Sequence, residues 1–327
     1  MPRSRRVSLA AAVIAALALV GGCASTADTD SSVASDSATV TVDSAYGEVA
    51  VPADPHRVAA VSYDTPWQLL SLGVTPIATI DYSQWIESYT AEQQAGIADA
   101  ATIGTYGEIN YEALAAAGPD LIVGVVDEVD EAAYERLSDI APTVIVGGDA
   151  RGDWMQITEE LAAATARTQT WEESKTAYET LRDQTTADYA DVIAANTWIN
   201  FSFGNDAGQF SVQLPTGSTG NLIVNELGLA YGLGAQIEDA DGAGYVSLPL
   251  EQLPTVFDGV TYALTFAAVD GTPYDAIEEI ESSEIFQTLD VAQTGNVYAM
   301  RTSVTDYESA QDWINELVTN VLEPLSQ

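Results

Sequence analysis

The chain of 327 residues contains one histidine, one cysteine and ten basic residues. Each shortage closes off a class of chemistry. A Ser-His-Asp or Cys-His catalytic site would have to use His56. That residue sits in Asp54-Pro55-His56-Arg57, just ahead of an apolar strand, where a surface turn is the expected setting. Free zinc and manganese sites usually draw on several histidines, so no direct metal centre is expected. No G-x-S-x-G, P-loop or G-x-G-x-x-G is present, and Pro215 to Gly220, PTGSTG, does not match the first of these. With no nucleophile or acid–base pair to name, the reading is that the chain is not an enzyme. A lone cysteine forbids an internal disulfide. So few basic groups leave no patch for nucleic acid or an acidic lipid surface. After Val20 no apolar run approaches the ~18 residues of a membrane span.

The chain does carry an informative start, MPRSRRVSLAAAVIAALALVGGC. Arg3, Arg5 and Arg6 form a positive segment, and Val7 to Val20 an apolar run too short for the ~20 residues of a transmembrane helix. The run ends in Val20-Gly21-Gly22-Cys23, which resembles a bacterial lipobox. That resemblance implies cleavage before Cys23, a lipid on its sulfur, and a protein anchored to the outside of the cell membrane. Residues 1–22 are thus read as the lipoprotein signal. Residues 23–38, small, polar and without periodicity, read as a flexible tether. Loss of the signal lowers the basic count from ten to seven against 49 acidic residues, moving the net charge from −39 to −42. Solubility, as in a salty habitat, accounts for such acidity.

From Thr39 the pattern becomes that of a folded chain, 47% apolar over the whole sequence. TVTVDSAYGEVAVP alternates around Tyr46-Gly47 as a hairpin does. Arg57 to Tyr63 is a near-continuous apolar strand of the kind buried in a parallel sheet. A helix follows, capped by Asp64 or Thr65, with Pro66 in its first turn and Gly73 at its end. Thr75 to Ile80 is the next strand. The rhythm returns with Asn110 as cap, Tyr111 to Ala117 as helix, Gly118-Pro119 as stop and Leu121 to Val126 as strand, then another helix and strand to Gly147. Asp153 to Ala195 lacks proline and strand-like runs, and reads as one or two long helices. After it TWINFSF, VTYALTFAA and VYAM read as strands. NLIVNELGL, SLPLEQLPTVF and the closing SAQDWINELVTNVLEPL read as helices. The fold class is α/β, with two lobes on mostly parallel sheets joined by a helical connection. The boundaries are 39–168 for the first lobe, 169–195 for the linker helix and 196–327 for the second lobe.

Several strings in this order resemble the substrate-binding lipoproteins of ATP-dependent importers, in the iron-siderophore and vitamin B12 branch. They are VPADPHRVAAVS followed by LGVTPIA, Glu112 to Val123 as EALAAAGPDLIV, Ile140 to Ile145 as IAPTVI, SLPLEQLP with an inserted Pro249, and VAQTGNVYAM. The resemblance runs from Thr39 to Leu325. It implies a rigid linker helix, a ligand cleft between the lobes, modest closure on the ligand, and delivery to a permease dimer served by a cytoplasmic ATPase. It also implies one exposed glutamate on each lobe for docking on transporter arginines, here Glu112 and Glu251, with Glu108 as the competitor for the first. An acid in a first turn also complements the helix dipole without any further role.

Cleft residues are expected in loops at the carboxyl ends of strands. Those loops offer Tyr63, Thr65, Trp67, Tyr82, Trp85 and Tyr106 in the first lobe, and Phe203, Asn205, Gln209 and Arg301 in the second. Tyr63, Trp67, Trp85, Tyr106, Phe203 and Arg301 are the foremost ligand-binding candidates. Aromatic faces suit the carbon skeleton of an oxygen-rich chelate, and an arginine donates to its oxygens. From Thr197 onward Arg301 is the one basic residue, while Arg57, Arg136 and Arg151 of the first lobe have no evident place in the cleft. A ferric hydroxamate, neutral or cationic, needs less charge compensation than a tris-catecholate and is favoured. Catecholate or mixed chelates, haem and cobalamin stay open, since tyrosine is a haem ligand and is abundant here. The expected ligand is thus a Fe(III)-siderophore whose iron is held by the chelator. No cofactor is expected and the default state is a monomer. A secreted hydrolase and a structural lipoprotein are the remote alternatives.

Overall fold

The computed structural model describes residues 38–147, 151–240 and 242–327. The signal, Cys23 and the tether up to residue 37 lie outside them. Strands Leu121–Val125 and Thr143–Val146 are buried at every position, as a parallel sheet covered on both faces requires. The first sheet has five strands in the order Ala101–Thr102, Ala78–Thr79, Val58–Ala60, Leu121–Val125, Thr143–Val146, all parallel. The hairpin Thr39–Val42 with Val49–Pro52 docks beside its last strand, where the Ala45 amide and the Ser44 hydroxyl both donate to the Ile145 carbonyl.

Local chemistry sets the helix ends. Helix Thr65–Ser71 begins with Pro66 in its first turn, though the Asp64 side chain makes no cap bond. Asn110 Oδ1 accepts from the Ala113 amide at 3.0 Å to start Tyr111–Ala117, and Gly118 closes that helix at φ 60°, where a side chain would be strained.

The second sheet departs from expectation. Its order is Tyr245–Pro249, Gln209–Gln213, Trp198–Phe203, Tyr262–Phe266, Val297–Met300. The last three strands run parallel, and the first two join antiparallel. SLPLEQLPTVF is therefore not one helix. Its Ser247–Pro249 portion is strand, because Gln209↔Pro249 pairing continues into the Leu250 amide donating to the Gly208 carbonyl. Two turns of helix, Leu250–Gln252 and Leu253–Val256, follow. Residues of NLIVNELGL form a short helix, Ser218–Asn221, running into a wider turn at Leu222–Glu226.

The connection also differs from a single rigid rod over 169–195. It comprises Trp154–Ala164, Thr168–Asp188 and Ala190–Ala195, with the helix interrupted at Tyr189 (φ −112°, ψ 19°). Trp154, Tyr178 and Tyr307, from two of these helices and from the C-terminal helix Tyr307–Leu317, meet edge to face at 5.1 to 5.6 Å. Arg182 on the long helix pairs with Glu226 at 2.6 Å, and the Tyr178 hydroxyl donates to the same carboxylate at 3.1 Å. One apolar core runs from Val58 and Leu121 through Trp154 and Tyr178 to Phe201 and Leu264, so it passes from one sheet to the other through the connecting helices. Among the described residues no helix is long and apolar enough to cross a membrane.

Candidate functional site

The carboxyl edges of the two sheets supply the facing walls. In the first lobe Tyr63 emerges just past strand Val58–Ala60. Its amide donates to Glu128 Oε2 at 3.0 Å, tying it to the loop after Leu121–Val125. Trp85 follows strand Ala78–Thr79. Tyr106 stands at the tip of the small hairpin Gly104–Thr105 with Glu108–Ile109, and is 54% exposed. That hairpin needs Gly104, since φ is 119° and a Cβ would collide with the Glu108 carbonyl. Tyr63 lies edge-on to Trp85 at 5.1 Å and to Tyr106 at 5.7 Å, and Trp85 to Tyr106 at 6.3 Å. The structure thus brings three of the sequence-selected aromatics into one cluster.

Trp67 does not join them at the surface. It is 1% exposed, stacked on Tyr89 at 3.9 Å and edge-on to Tyr82 at 4.8 Å. Burying its ring beneath the cluster outweighs presenting it to solvent, so Trp67 backs the wall rather than forming its surface. Thr65 is likewise fully buried. Tyr82 is 3% exposed and donates its hydroxyl to the Tyr63 carbonyl. Burial is the dominant cause of the raised Tyr89 phenol, with Tyr63 adding to it.

In the second lobe Phe203 ends strand Trp198–Phe203, is 45% exposed, and meets Tyr274 edge-on at 6.1 Å. Asn205 is spent within its lobe, its Oδ1 accepting from the Tyr245 hydroxyl at 3.2 Å and its amide donating to Ser247 Oγ at 3.1 Å. Gln209 Oε1 accepts from the Asp206 amide. His56 lies in the exposed turn, near Asp54 at 3.5 Å.

Two hydrogen bonds join the lobes beside the cleft, apart from those that Gly152 makes with Thr216 and Asn221. The hydroxyls of Ser88 and Tyr274 are hydrogen-bonded at 3.0 Å at the rim. Deeper, the Gln68 side-chain amide donates to the Thr305 carbonyl at 3.1 Å. Around the rim contact a cleft of about 1010 Å³ is walled by Glu87, Tyr89 and Gln94 on one side and Phe203, Val269 and Tyr274 on the other. It shares Tyr89, Thr90, Ala91 and Val269 with a groove of about 630 Å³ that reaches Ser88, Arg301, Thr302, Glu308 and Asp312. Sequence reasoning passed over Tyr274, although it lies in the loop after strand Tyr262–Phe266 and obeys the same carboxyl-edge rule as Phe203.

Arg301 is not a free cation. Its Nε donates to Glu316 Oε1 at 2.8 Å, and the pairing raises the guanidinium further above its usual range. Carboxylates crowd the same groove. Burial, then Asp306, Asp312 and Glu92, push the Glu308 carboxyl up, and burial, then Glu316, does the same for Asp312. Among the described residues no cluster of three or more histidine, cysteine or acidic side chains suits a metal ion.

Glu112 is exposed in the first turn of helix Tyr111–Ala117, just past the Tyr106 hairpin. Glu251 is exposed in the turn Leu250–Gln252 that follows strand Tyr245–Pro249. That strand is antiparallel to Gln209–Gln213, itself antiparallel to Trp198–Phe203, so its carboxyl end lies at the cleft edge of the sheet. Each glutamate therefore follows the carboxyl edge of its lobe. Glu108 is exposed as well.

Comparison with known proteins agrees with this architecture. A model of the family described as periplasmic binding protein matches residues 58–304. A probable siderophore-binding lipoprotein, YfiY of Bacillus subtilis strain 168, is 30% identical over 155 residues, which is 46% of this chain and 46% of that protein. The putative ABC transporter substrate-binding lipoprotein YhfQ of the same organism is 23% identical over 286 residues, covering 85% of this chain and 86% of the other. Among solved structures, the siderophore periplasmic binding protein from the fuscachelin gene cluster of Thermobifida fusca superposes with a TM-score of 0.69. It is 24% identical, with 84% of this chain and 98% of that one covered.

Proposed function

Since the chain belongs to the periplasmic binding protein family, we propose that it is the lipid-anchored, extracytoplasmic binding component of an ABC importer whose cargo is a ferric siderophore. The observation that carries this reading is the inter-lobe cleft of about 1010 Å³ with Tyr89 on one wall and Phe203 and Tyr274 on the other. Such a volume lies at the upper end of small-ligand sites, which run from about 300 to 1,000 Å³, and suits a bulky chelate. Tyr63, Trp85, Tyr106 and Phe203 cover the carbon skeleton, Trp67 supports them from behind, and Arg301 donates to oxygens around the iron. The relative named as a probable siderophore-binding lipoprotein supports the cargo, and both relatives named as lipoproteins support the anchor at Cys23.

A hydroxamate is favoured because Arg301, the one basic residue from Thr197 on, is already paired with a carboxylate. A tris-catecholate with about three negative charges would enter the cleft with little compensation. Glu112 and Glu251 dock the loaded protein on the permease.

The test is a tryptophan-fluorescence titration of the domain from Thr39 onward with ferric hydroxamates, ferric catecholates, haem and cobalamin. Saturable quenching by a ferric hydroxamate at submicromolar concentration supports the proposal. Saturation by haem or cobalamin alone replaces the cargo while keeping the architecture. No response to any of them refutes it.

A further inference from the structure

Helix Tyr307–Leu317 carries Glu308, Asp312 and Glu316 at successive i, i+4 positions, hence on one face. The first two are exposed, whereas the third is not: the Glu316 side chain is 5% exposed. A carboxylate that deep costs several kcal/mol unless its lone pairs are satisfied. They are satisfied almost wholly by one residue. The Arg301 backbone amide donates to both Glu316 oxygens, at 3.1 and 3.2 Å, and Arg301 Nε donates to Oε1 at 2.8 Å. The Thr302 hydroxyl adds a longer contact at 3.5 Å.

This clamp has two consequences for Arg301. Its guanidinium is held by one edge, while the side chain remains 51% exposed in the groove that reaches Ser88 and Tyr89. Among the described residues Nη1 and Nη2 make no hydrogen bond, so the clamped side chain keeps a pair of donors available. The positive charge is also cancelled at source. With Glu308, Asp312 and Glu92 lining the same groove, the region is negative overall.

We propose that Glu316 is a positioning residue that fixes Arg301 in the inter-lobe cleft and neutralises it, so that the cleft offers hydrogen-bond donors without net positive charge and selects neutral or cationic ferric chelates over anionic ones. The proposal rests on the siderophore-binding reading, and deepens it to a charge class.

The experiment compares a cationic ferric trihydroxamate, ferrioxamine B, with a trianionic ferric tris-catecholate, by fluorescence titration of four proteins: wild type, Glu316→Gln, Arg301→Gln and the double variant. Melting temperature serves as the folding control. Glu316→Gln keeps shape and an acceptor but unmasks one positive charge. The ratio of affinities, catecholate over hydroxamate, is expected to rise about tenfold at low salt, and the rise to shrink at high salt as the unmasked charge is screened. Arg301→Gln leaves a buried carboxylate and is expected to move the ratio the other way. The double variant restores the wild-type ratio with weaker binding of both probes. A purely structural Glu316 would weaken both chelates equally in every variant, and a ratio unchanged across the set overturns the proposal. If Glu316→Gln does not fold, the Arg301→Gln and double-variant ratios decide alone. A wild type that binds neither probe refutes the siderophore reading itself. A wild type that prefers the trianion keeps that reading and overturns the charge selection.

Discussion

Replacing Asp306 by alanine should destabilise the whole protein and loosen the contact between lobes. Asp306 is 3% exposed and caps the closing helix Tyr307–Leu317. Its side chain accepts from the Glu308 and Ser309 amides, both at 2.9 Å, and from the Thr305 hydroxyl at 2.7 Å. In return Ser309 Oγ accepts from the Asp306 amide at 3.0 Å, completing a reciprocal cap. Burial pushes the carboxyl up, while these bonds oppose the shift. Losing a cap costs about 0.5–2 kcal/mol, and each buried donor left unpaired about 1–3 kcal/mol. Because these penalties overlap, about 3 kcal/mol is expected for Asp306→Ala. For a folded body of about 290 residues the unfolding entropy is about 0.6 kcal/mol/K, so Tm should fall by about 5 °C. Asp306→Asn keeps an acceptor and should lose about 2 °C or less. Thr305, the neighbour in this network, receives the Gln68 amide from the other lobe, so the alanine variant should also bind ferric chelates more weakly. Calorimetry at pH 7 checks the first expectation. An alanine variant within 1 °C of wild type, or an asparagine variant as damaged as alanine, would refute the capping argument.

The remaining predictions concern docking, the rim and charge. Exchanging Glu112 and Glu251 for arginine together should abolish uptake in cells while leaving chelate affinity unchanged in vitro; unaltered uptake sinks the docking assignment. Tyr274→Phe removes the rim hydrogen bond to Ser88, worth about 0.5–1.5 kcal/mol, and stopped-flow release of a ferric chelate should quicken by about two- to tenfold. A net charge of −39 over the chain makes the compact state self-repelling, so Tm should climb as sodium chloride is raised from 0.05 to about 1 M; a flat response contradicts this. Glu308 and Asp312 have folded pKa values raised above their unfolded ones, so their contribution to stability is greatest below the unfolded values and is lost as pH rises through the raised ones. The double variant Glu308→Gln with Asp312→Asn should therefore be more stable than wild type at pH 7, with the advantage fading by about pH 4.

The first lobe was legible because its signals are local. A capping asparagine, a stop glycine and unbroken apolar strands each act within a few residues, and the helix Tyr111–Ala117 and strand Leu121–Val125 follow from them directly. The second lobe was less so, since strand Tyr245–Pro249 owes its conformation to pairing with Gln209–Gln213 more than thirty residues earlier. Its own string, with Pro249 and Leu250-Glu251-Gln252, mimics a helix start. In the candidate site the carboxyl-edge rule named loops whose Tyr63, Trp85 and Tyr106 do cluster. The rule could not tell which aromatic in a loop faces out, so it offered Trp67, which the fold buries, and passed over Tyr274, which is hydrogen-bonded to Ser88 at the rim. Glu316 carried no local mark, because its partner lies fifteen residues away on another element.

The apolar core shared by both sheets through Trp154 and Tyr178 makes the two lobes a single thermodynamic body. Heat should undo them in one calorimetric transition rather than two, with matching van't Hoff and calorimetric enthalpies. A chain cut between the lobes would leave each half with the raw face of that core and no partner for it. The rigidity that follows favours a cleft whose shape is set at folding, so that capturing cargo draws little of its free energy from rearranging the protein.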